Sequence, residues 1–391
     1  MPALTRLLLI TFLESLATTL IERSVYFYSH ERLGFTDAEN LLLALGFGTA
    51  YVVGALASHP LSKRVSEKRL LVLAMGGQLA GHLVLSAWPV SHTLAVFNAV
   101  LGLFNGLKWP LIESFVNAGQ TPSAVARRVG RFNLSWVVAC PLGLAVAGPI
   151  IGAWPRGIFL LAAMLGLASL GLLRPLAGRP AHLPDDHPER PGPGALARYR
   201  GLLVSSRWTM LSSYALMWVL VALVPGIFAR LGFGVTVAPA MSGLLDVVRA
   251  LAFLSLQRYA GWHNRAWPLA LAAVGIPVGF FLTLFGPDLA TVLAGEVVFG
   301  ASAGMTYYAA LYYAMVVKNA AVDAGGAHEG LIGSGFTIGP ALGLLGVVLA
   351  PVLGTPVGGM MVGVAPLVAI CAAGAVRSLV VARRMPRQPQ A

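Results

Sequence analysis

The sequence contains few charged residues. Only 11% of its 391 residues are Asp, Glu, Lys or Arg, and its mean hydropathy is +0.77. Soluble domains carry about 25% charged residues, because a water-exposed surface needs them. A soluble globular fold is therefore excluded, and lipid must be the main solvent of the folded chain.

Cysteine is scarce and motifs for catalysis are lacking. The two cysteines, Cys140 and Cys371, lie in apolar runs, which excludes a disulfide framework. No metal-ligand spacing, phosphate-binding loop or nucleophile motif rises above chance. We therefore predict that the protein is not an enzyme and has no cofactor, catalytic residue or resident metal. The lack of a nucleotide-binding motif argues against an ATP-driven pump.

Positive charge is abundant, with a formal net charge of +12. The basic residues gather in alternate short loops, as the positive-inside rule requires, so we predict no nucleic-acid partner. The other loops hold few basic residues, namely Arg32, Arg156 and Arg230. This asymmetry predicts a multi-pass protein of the cell (inner or plasma) membrane with both termini in the cytoplasm. We expect a monomer whose surroundings are the lipid bilayer.

Apolar runs of about 20 residues predict spanning helices, because about 30 Å of hydrocarbon needs that many residues. We count about twelve, so the predicted fold class is an all-α integral membrane protein of about twelve transmembrane helices in two six-helix pseudo-repeats. The predicted spans are 5–28, 39–59, 70–89, 93–117, 132–153, 157–174, 207–228, 237–256, 267–285, 289–317, 331–351 and 355–376.

One polar segment divides the chain. Residues 176–203 are rich in Pro, Asp and Arg, which predicts a disordered cytoplasmic linker. The predicted domains are thus an amino-terminal six-helix bundle, 1–175, the linker, 176–203, and a carboxy-terminal six-helix bundle, 204–391.

The two halves repeat. The tetrapeptide Arg-Leu-Gly-Phe begins at Arg32, after span one, and again 198 residues later at Arg230, after span seven. The same offset relates Gly102 and Gly106 of span four to Gly300 and Gly304 of span ten, and Trp109 to Tyr307. Parallel six-span repeats around a linker are typical of one transporter architecture, with its site between the repeats near the midplane.

The sequence resembles the major facilitator superfamily of secondary transporters over nearly its whole length. That family carries G-x-L-A-D-R-x-G-R-K between spans two and three, and Leu61, Arg64 and Lys68 match it. Lys63 stands at the family's Asp, and both glycines are replaced. The resemblance implies a gating loop at Arg64 and Lys68. The run from Gly148 to Gly152 is similar to the family's G-P-x-x-G antiporter motif, which implies export in exchange for protons.

Charges inside the hydrocarbon cost several kcal/mol, so they are functional candidates by default. Glu14 and Lys108 should lie at matched depth, roughly 13 Å from the cytoplasmic side at helical rise, and form an ion pair. Asp246 and Arg249 are three residues apart and should pair within one helix. That second pair either neutralises itself or has a gating or substrate role. The remaining charged candidates are Glu113 and Glu296, and span one also carries Glu22 and Arg23 nearer the outside.

Span four also carries a polar stripe. Asn105, Trp109 and Glu113 follow at intervals of four, with Lys108 on the same broad face. The stripe either lines a water-filled cavity or is a buried structural contact. The cavity is favoured, because in the resembled family spans one, four, seven and ten line the pore. For Glu113, close to the cytoplasmic end, the alternative is snorkelling to the interface.

In span ten, Tyr307 and Tyr308 predict a binding wall for an amphiphilic or aromatic solute, because tyrosine combines an apolar ring with a hydroxyl. His328 and Glu329 could gate or titrate, but a polar helix start is the simpler interpretation, and the two Gly-x-x-x-Gly pairs are interpreted as close helix contacts.

These observations predict a secondary transporter that moves a small-molecule substrate by alternating access, coupled to protons by symport or antiport. Two alternatives stay open. A non-transporting membrane receptor or scaffold would show a sealed bundle with no cavity around Lys108 and Tyr307. A lipid flippase would show a lateral opening to the bilayer.

Overall fold

The computed structural model describes residues 2–117, 119–120, 122–180, 192–318 and 322–384. Within them the chain forms α-helices and one short 3-10 helix, Ala260–Trp262. The α-helices are α1 Ala3–Glu22, α2 Val25–Leu33, α3 Asp37–Val65, α4 Glu67–Ala87, α5 Ser91–Asn117, α6 Pro122–Ala153, α7 Gly157–Leu173, α8 Pro193–Arg230, α9 Ala238–Ser242, α10 Leu244–Arg258, α11 Trp267–Phe285, α12 Leu289–Lys318, α13 Val322–Leu349 and α14 Pro356–Arg384.

These helices confirm the predicted all-α membrane fold. Among the described residues, eleven segments are long and apolar enough to cross a membrane, counting α1 with α2 and α9 with α10 as single spans. The remaining predicted span is α7, a shorter apolar helix of 17 residues. Each predicted span therefore corresponds to a helical segment, with most boundaries within a few residues.

Two sequence predictions differ from the structure. The predicted disordered linker, 176–203, is helical from Pro193 onward, because proline suits the first turn of a helix and Arg198 donates to the carbonyl oxygen of Asn264 at 2.9 Å. Residues 181–191 lie outside the described residues. Helix α13 begins at Val322, well before the predicted start at 331, so His328 and Glu329 lie inside the helix and are buried.

Successive spans are antiparallel, so their ends alternate between two ends of the bundle. We call the end that holds Ala3 and Arg384 the termini end, and the other the opposite end. Helix α3 packs on α5 and on α13, and α6 packs on α10. The amino-terminal helices α1–α7 and the carboxy-terminal helices α8–α14 therefore meet mainly at these two inter-half pairs, α3–α13 and α6–α10, with further contacts of α13 with α5 and of α12 with α6.

The predicted glycine contacts are present. A side chain on Gly106 would collide with the backbone of α3, 2.8 Å from the nitrogen of Ala55. In the carboxy-terminal half, a side chain on Gly304 would lie 2.8 Å from Cβ of Ala252 in α10. Small residues let membrane helices approach closely.

Two spans are interrupted helices, one between α1 and α2 and the other between α9 and α10. Between α1 and α2, the backbone nitrogens of Arg23 and Ser24 both donate to the carbonyl oxygen of Thr19, at 3.2 and 3.1 Å. Between α9 and α10, the nitrogen of Asp246 donates to the oxygen of Gly243 at 3.0 Å. The first break widens the helical turn and the second tightens it, and such irregular turns often mark functional positions.

Candidate functional site

A central cavity lies between the two halves. It has about 650 Å³ of empty space, which includes space open to solvent, and is lined by residues from both α1–α7 and α8–α14. Its charged lining residues are Glu22, Arg23, Arg249 and Glu329. Its aromatic lining residues are Tyr51, Trp109, Phe132, Trp136, Tyr214, Trp218, Tyr307 and Phe336.

The aromatic wall is a connected cluster. The ring of Trp136 meets that of Tyr307 edge-on at 5.1 Å, and Tyr214 lies 6.0 Å from Tyr307. On the other side of Tyr214, Phe336 stacks on Trp218 at 3.5 Å. Rings held by neighbouring rings have few alternative rotamers, so this wall offers a solute a rigid apolar surface.

Arg249 gives this wall a positive charge. Its guanidinium carbon lies 4.5 Å from the ring centroid of Trp136, a cation–π contact. One terminal nitrogen lies 3.1 Å from Oδ1 of Asp246, so the predicted pair within the helix is present. The Nε of Arg249 is buried and has no hydrogen-bond partner, which leaves one donor for a ligand in the cavity.

Asp246 has a second partner that the sequence did not reveal. Nη1 of Arg23 lies 2.9 Å from Oδ2 of Asp246, which joins the break between α1 and α2 to the first turn of α10. The carboxylate is fully buried, and its position at a helix start is favoured by the helix dipole. Two arginines from opposite halves thus share one carboxylate.

This contact lies between two cavities. A second, smaller cavity of about 370 Å³ is lined by Glu296 of α12 together with Arg23 and Met217, which also line the central cavity. Glu296 is 2% exposed, and its Oε2 has no hydrogen-bond partner. Arg23, which pairs with Asp246, therefore lies on the boundary between the central cavity and the side of the bundle that holds Glu296.

Glu14 and Lys108 form the predicted ion pair. Nζ of Lys108 lies 2.8 Å from Oε2 of Glu14, and both side chains are almost fully buried. Neither residue lines the central cavity; Thr18 does, and its hydroxyl accepts a long hydrogen bond of 3.4 Å from Lys108. Nζ also lies 4.8 Å from the ring centroid of Trp109. The charged pair is therefore one layer behind the cavity wall.

Asn105 connects that layer to the cavity. Its Oδ1 accepts hydrogen bonds from Thr18 at 3.3 Å and from Gln78 at 3.2 Å, and its Nδ2 donates to Glu22 at 3.2 Å. Of the polar stripe in span four, Trp109 faces the cavity, whereas Asn105 and Lys108 support residues that do.

Glu113 joins residues whose importance was missed. Ligand atoms of Glu113, His328 and Glu329 all lie within 4.8 Å of one another, and all three residues are buried. The hydroxyl of Tyr51 donates to Glu329. Snorkelling of Glu113 to the interface is thus wrong for this structure, and so is the interpretation of His328 and Glu329 as a simple helix start. The sequence held a signal for this cluster, because a carboxylate such as Glu113 inside the membrane needs a partner. The predicted start of span eleven at residue 331 excluded His328 and Glu329 from the helix.

The remaining candidates lie away from the cavity. Tyr308 is buried against Phe253 and Trp262. Lys68 donates to the carbonyl oxygens of Arg174 and Leu176, at 2.8 and 2.7 Å, so it holds the segment after α7. The side chain of Arg64 is exposed.

Comparison with known proteins decides the family. The sequence profile of the Major Facilitator Superfamily matches residues 7–344. The chain belongs to the major facilitator superfamily. No curated protein sequence matches it. As a major facilitator, it is a multi-pass membrane protein and a secondary transporter with a small-molecule substrate.

Solved structures of this superfamily share the fold. A bacterial homologue of the human lysosomal transporter Spinster, in an inward-facing and unoccupied conformation, superposes with a TM-score of 0.70 at 14% identity, covering 99% of this chain and 98% of that one. The nucleoside transporter NupG (D323A mutant) gives 0.66 at 12% identity, covering 98% and 99%. The human organic anion transporter MFSD10 gives 0.64 at 14% identity, covering 97% and 99%. At these identities, the similarity concerns the fold.

Proposed function

We propose that this major facilitator transports a small amphiphilic solute, which carries an aromatic ring, through the central cavity by alternating access. The observation that carries the proposal is the cavity itself, whose lining comes from both halves and combines a rigid aromatic wall with Arg249. Stacking on Trp136 and Tyr307 would bind the ring. The free Nε of Arg249 would donate to an acceptor on the solute.

The moving parts are the two predicted bundles, 1–175 and 204–391. Rocking would open one side of the cavity at a time, and the contacts between halves would break in turn. The Arg23–Asp246 pair closes the side towards Glu296, whereas contacts of α5 and α13 close the termini end. In this proposal Lys68 holds the segment after α7 at the termini end, and Arg64 is an exposed charge of the gating loop there.

Protons are the proposed coupling ion. Buried carboxylates can take up and release protons, and Glu14, Glu22 and Glu329 lie on or directly behind the cavity wall. Asn105 and Thr18 link Glu14 and Lys108 to Glu22 through hydrogen bonds. Exchange of solute for protons, as implied by the Gly148–Gly152 motif, would couple export to the proton gradient.

The proposed orientation has the termini end in the cytoplasm of a cell (inner or plasma) membrane, and the proposed unit is a monomer. Basic residues support the orientation, because Lys63, Arg64 and Arg69 are in or beside the loop after α3, at the termini end. Few are found at the opposite end, among them Arg32 and Arg156.

A ligand screen tests the proposed substrate class. Purified protein is incubated with aromatic acids, aromatic amines and neutral aromatic compounds, and thermal unfolding is followed. We expect stabilisation by at least one class, because a ligand that binds only the folded state raises the unfolding temperature. Trp136→Ala and Tyr307→Ala should each remove the shift. Trp88→Ala is the matched control, since Trp88 is 66% exposed at the opposite end.

Two results would overturn the proposal. One is that no aromatic compound shifts the unfolding temperature while non-aromatic solutes do. The other is that hits retain their shift in both cavity variants. For a confirmed hit, counterflow in proteoliposomes separates a transporter from a receptor of the same fold, because only a transporter moves labelled solute against its own gradient.

A further inference from the structure

Three buried side chains form a cluster at the termini side of the cavity, and only one of them, Glu329, lines the cavity itself. Glu113 comes from α5, and His328 and Glu329 come from α13. They are 0–4% exposed, and one ligand atom from each residue can be chosen so that all lie within 4.8 Å of one another.

The cluster is poorly satisfied by the protein. Both ring nitrogens of His328 are buried without a hydrogen-bond partner, and the buried carboxylate of Glu113 meets the carboxylate of Glu329, another acidic group. Buried polar groups in native proteins are nearly always paired, and exceptions call for an ion, a water or a functional role. Two carboxylates at this distance also repel each other in a low dielectric.

A divalent cation would satisfy these groups together. Two carboxylates and an imidazole form a mixed oxygen–nitrogen donor set, which suits Zn²⁺, Mn²⁺ or Fe²⁺ better than the all-oxygen preference of Mg²⁺ and Ca²⁺. Tyr51 donates to Glu329, and such a contact orients a ligating carboxylate. Arg207 of α8 acts electrostatically on His328 and opposes a cation, but the two carboxylates carry the larger charge.

We propose that Glu113, His328 and Glu329 bind a first-row divalent transition-metal cation that joins α5 to α13. The site unites the two halves, with one ligand from the amino-terminal half and two from the carboxy-terminal half. The helices approach closely here, because a side chain on Gly325 would lie 2.7 Å from Oε2 of Glu113. A bound cation would therefore stabilise closure of the termini end.

Binding itself does not depend on the proposed solute or on proton coupling. Only the consequence for transport rests on rocking of the two halves. Failure of the ligand screen would leave the metal site intact, and absence of metal binding would leave the solute site intact.

The test is calorimetric titration of the full-length, tag-free protein with ZnCl₂ and with MnCl₂, after treatment with a chelator and exchange into metal-free buffer. We expect one saturable site, weakened at least tenfold in Glu113→Gln, His328→Gln and Glu329→Gln. His82→Gln controls for a buried histidine elsewhere, and His92→Ala for an exposed one. Both controls should bind as the wild type does.

Thermal unfolding with chelator present separates loss of the site from misfolding. Glu113→Gln removes one of two like charges, so it should unfold at or above the wild-type temperature without metal. Addition of metal should raise only the wild-type temperature. The proposal is overturned if no saturable site is found, or if the three cluster variants bind as tightly as the controls. It is also overturned if acidification alone stabilises the wild type and metal does not, because the carboxylates would then share a proton.

Discussion

Arg23 and Asp246 form an ion pair of 2.9 Å between residues 223 positions apart, and each is located at an interruption of its own span. Arg249 contacts the other oxygen of the same carboxylate. The self-contained pair expected within α10 is therefore part of a three-residue cluster that connects the two halves. A carboxylate shared in this way connects α10 to the break between α1 and α2 in the other half.

Loss of Asp246 should harm the protein more than loss of either arginine. Asp246→Asn leaves two buried cations without a counterion, at a cost of about 3–5 kcal/mol. Arg249→Gln leaves the Arg23–Asp246 pair intact. Arg23→Gln should cost least, because Arg23 is 11% exposed and the Arg249 pair remains. The unfolding temperatures of the purified variants measure this order of stability.

The double variant Asp246→Asn/Arg249→Gln provides the control. It should recover only part of the stability, since Arg23 still lacks its partner. Full recovery would show that Arg23 contributes nothing, and additive effects would show that Asp246 and Arg249 do not interact.

Glu14→Gln should uncouple transport from the proton gradient while solute binding persists. The neutral amide cannot take up or release the proton, and it leaves Lys108 with a weaker partner. Flux of a solute from the screen is measured in proteoliposomes with and without an imposed pH gradient. Unchanged proton dependence in a well-folded variant would rule out coupling and leave Glu14–Lys108 as a structural pair.

Replacement by alanine should change the stability of the protein in opposite directions at two glycines of adjacent helices. Gly106→Ala places a methyl group against the backbone of α3, and overpacking of this kind costs about 1–3 kcal/mol. Gly76→Ala adds a methyl group with no atom within 4 Å, so it should stabilise α4 by about 0.5–1 kcal/mol. The unfolding temperatures of both variants test this prediction. Equal shifts of the same sign would contradict the close contact of Gly106 with α3.

Stability should fall between pH 6.5 and 4 because of His263, which lies in the segment between α10 and α11. Burial lowers the pKa of His263 from 6.5 to about 4, and its ring stacks on Tyr312 at 4.5 Å. The unfolded state binds a proton at higher pH than the folded state does, so this contribution is complete above pH 6.5 and is lost as the pH falls.

His263→Phe retains a ring for stacking but cannot titrate. The unfolding temperature of this variant should depend less on pH between 6.5 and 4 than that of the wild type. Parallel curves for the two proteins would assign the acid sensitivity to other groups.

Cysteine labelling tests the proposed orientation. In a background with Cys140 and Cys371 replaced by alanine, Glu189→Cys supplies a single thiol in the linker, outside the described residues. An impermeant reagent applied to intact cells should leave it unlabelled. Ser91→Cys, exposed at the opposite end, should be labelled. The reverse pattern would invert the topology.

The candidate site could be predicted from the sequence only in part. Glu14 with Lys108 was predictable, because opposite charges at equal depth in a bilayer relieve each other's desolvation. Asp246 with Arg249 was predictable from helical spacing alone. The contacts of Arg23, Trp136 and Glu329 could not be predicted, because their local sequence does not indicate which helix each side chain faces.

The sequence by itself determined that the folded chain lies in lipid, which segments span the membrane and to which class the protein belongs. Hydropathy is summed along 20 consecutive residues, so a membrane helix can be recognised without knowledge of its neighbours. Partner choice was decided only by the tertiary structure: that Arg23 reaches Asp246, that Glu113 meets Glu329, and that Lys108 lies behind the cavity wall. These contacts join helices far apart in the chain, and their geometry depends on how the two halves pack.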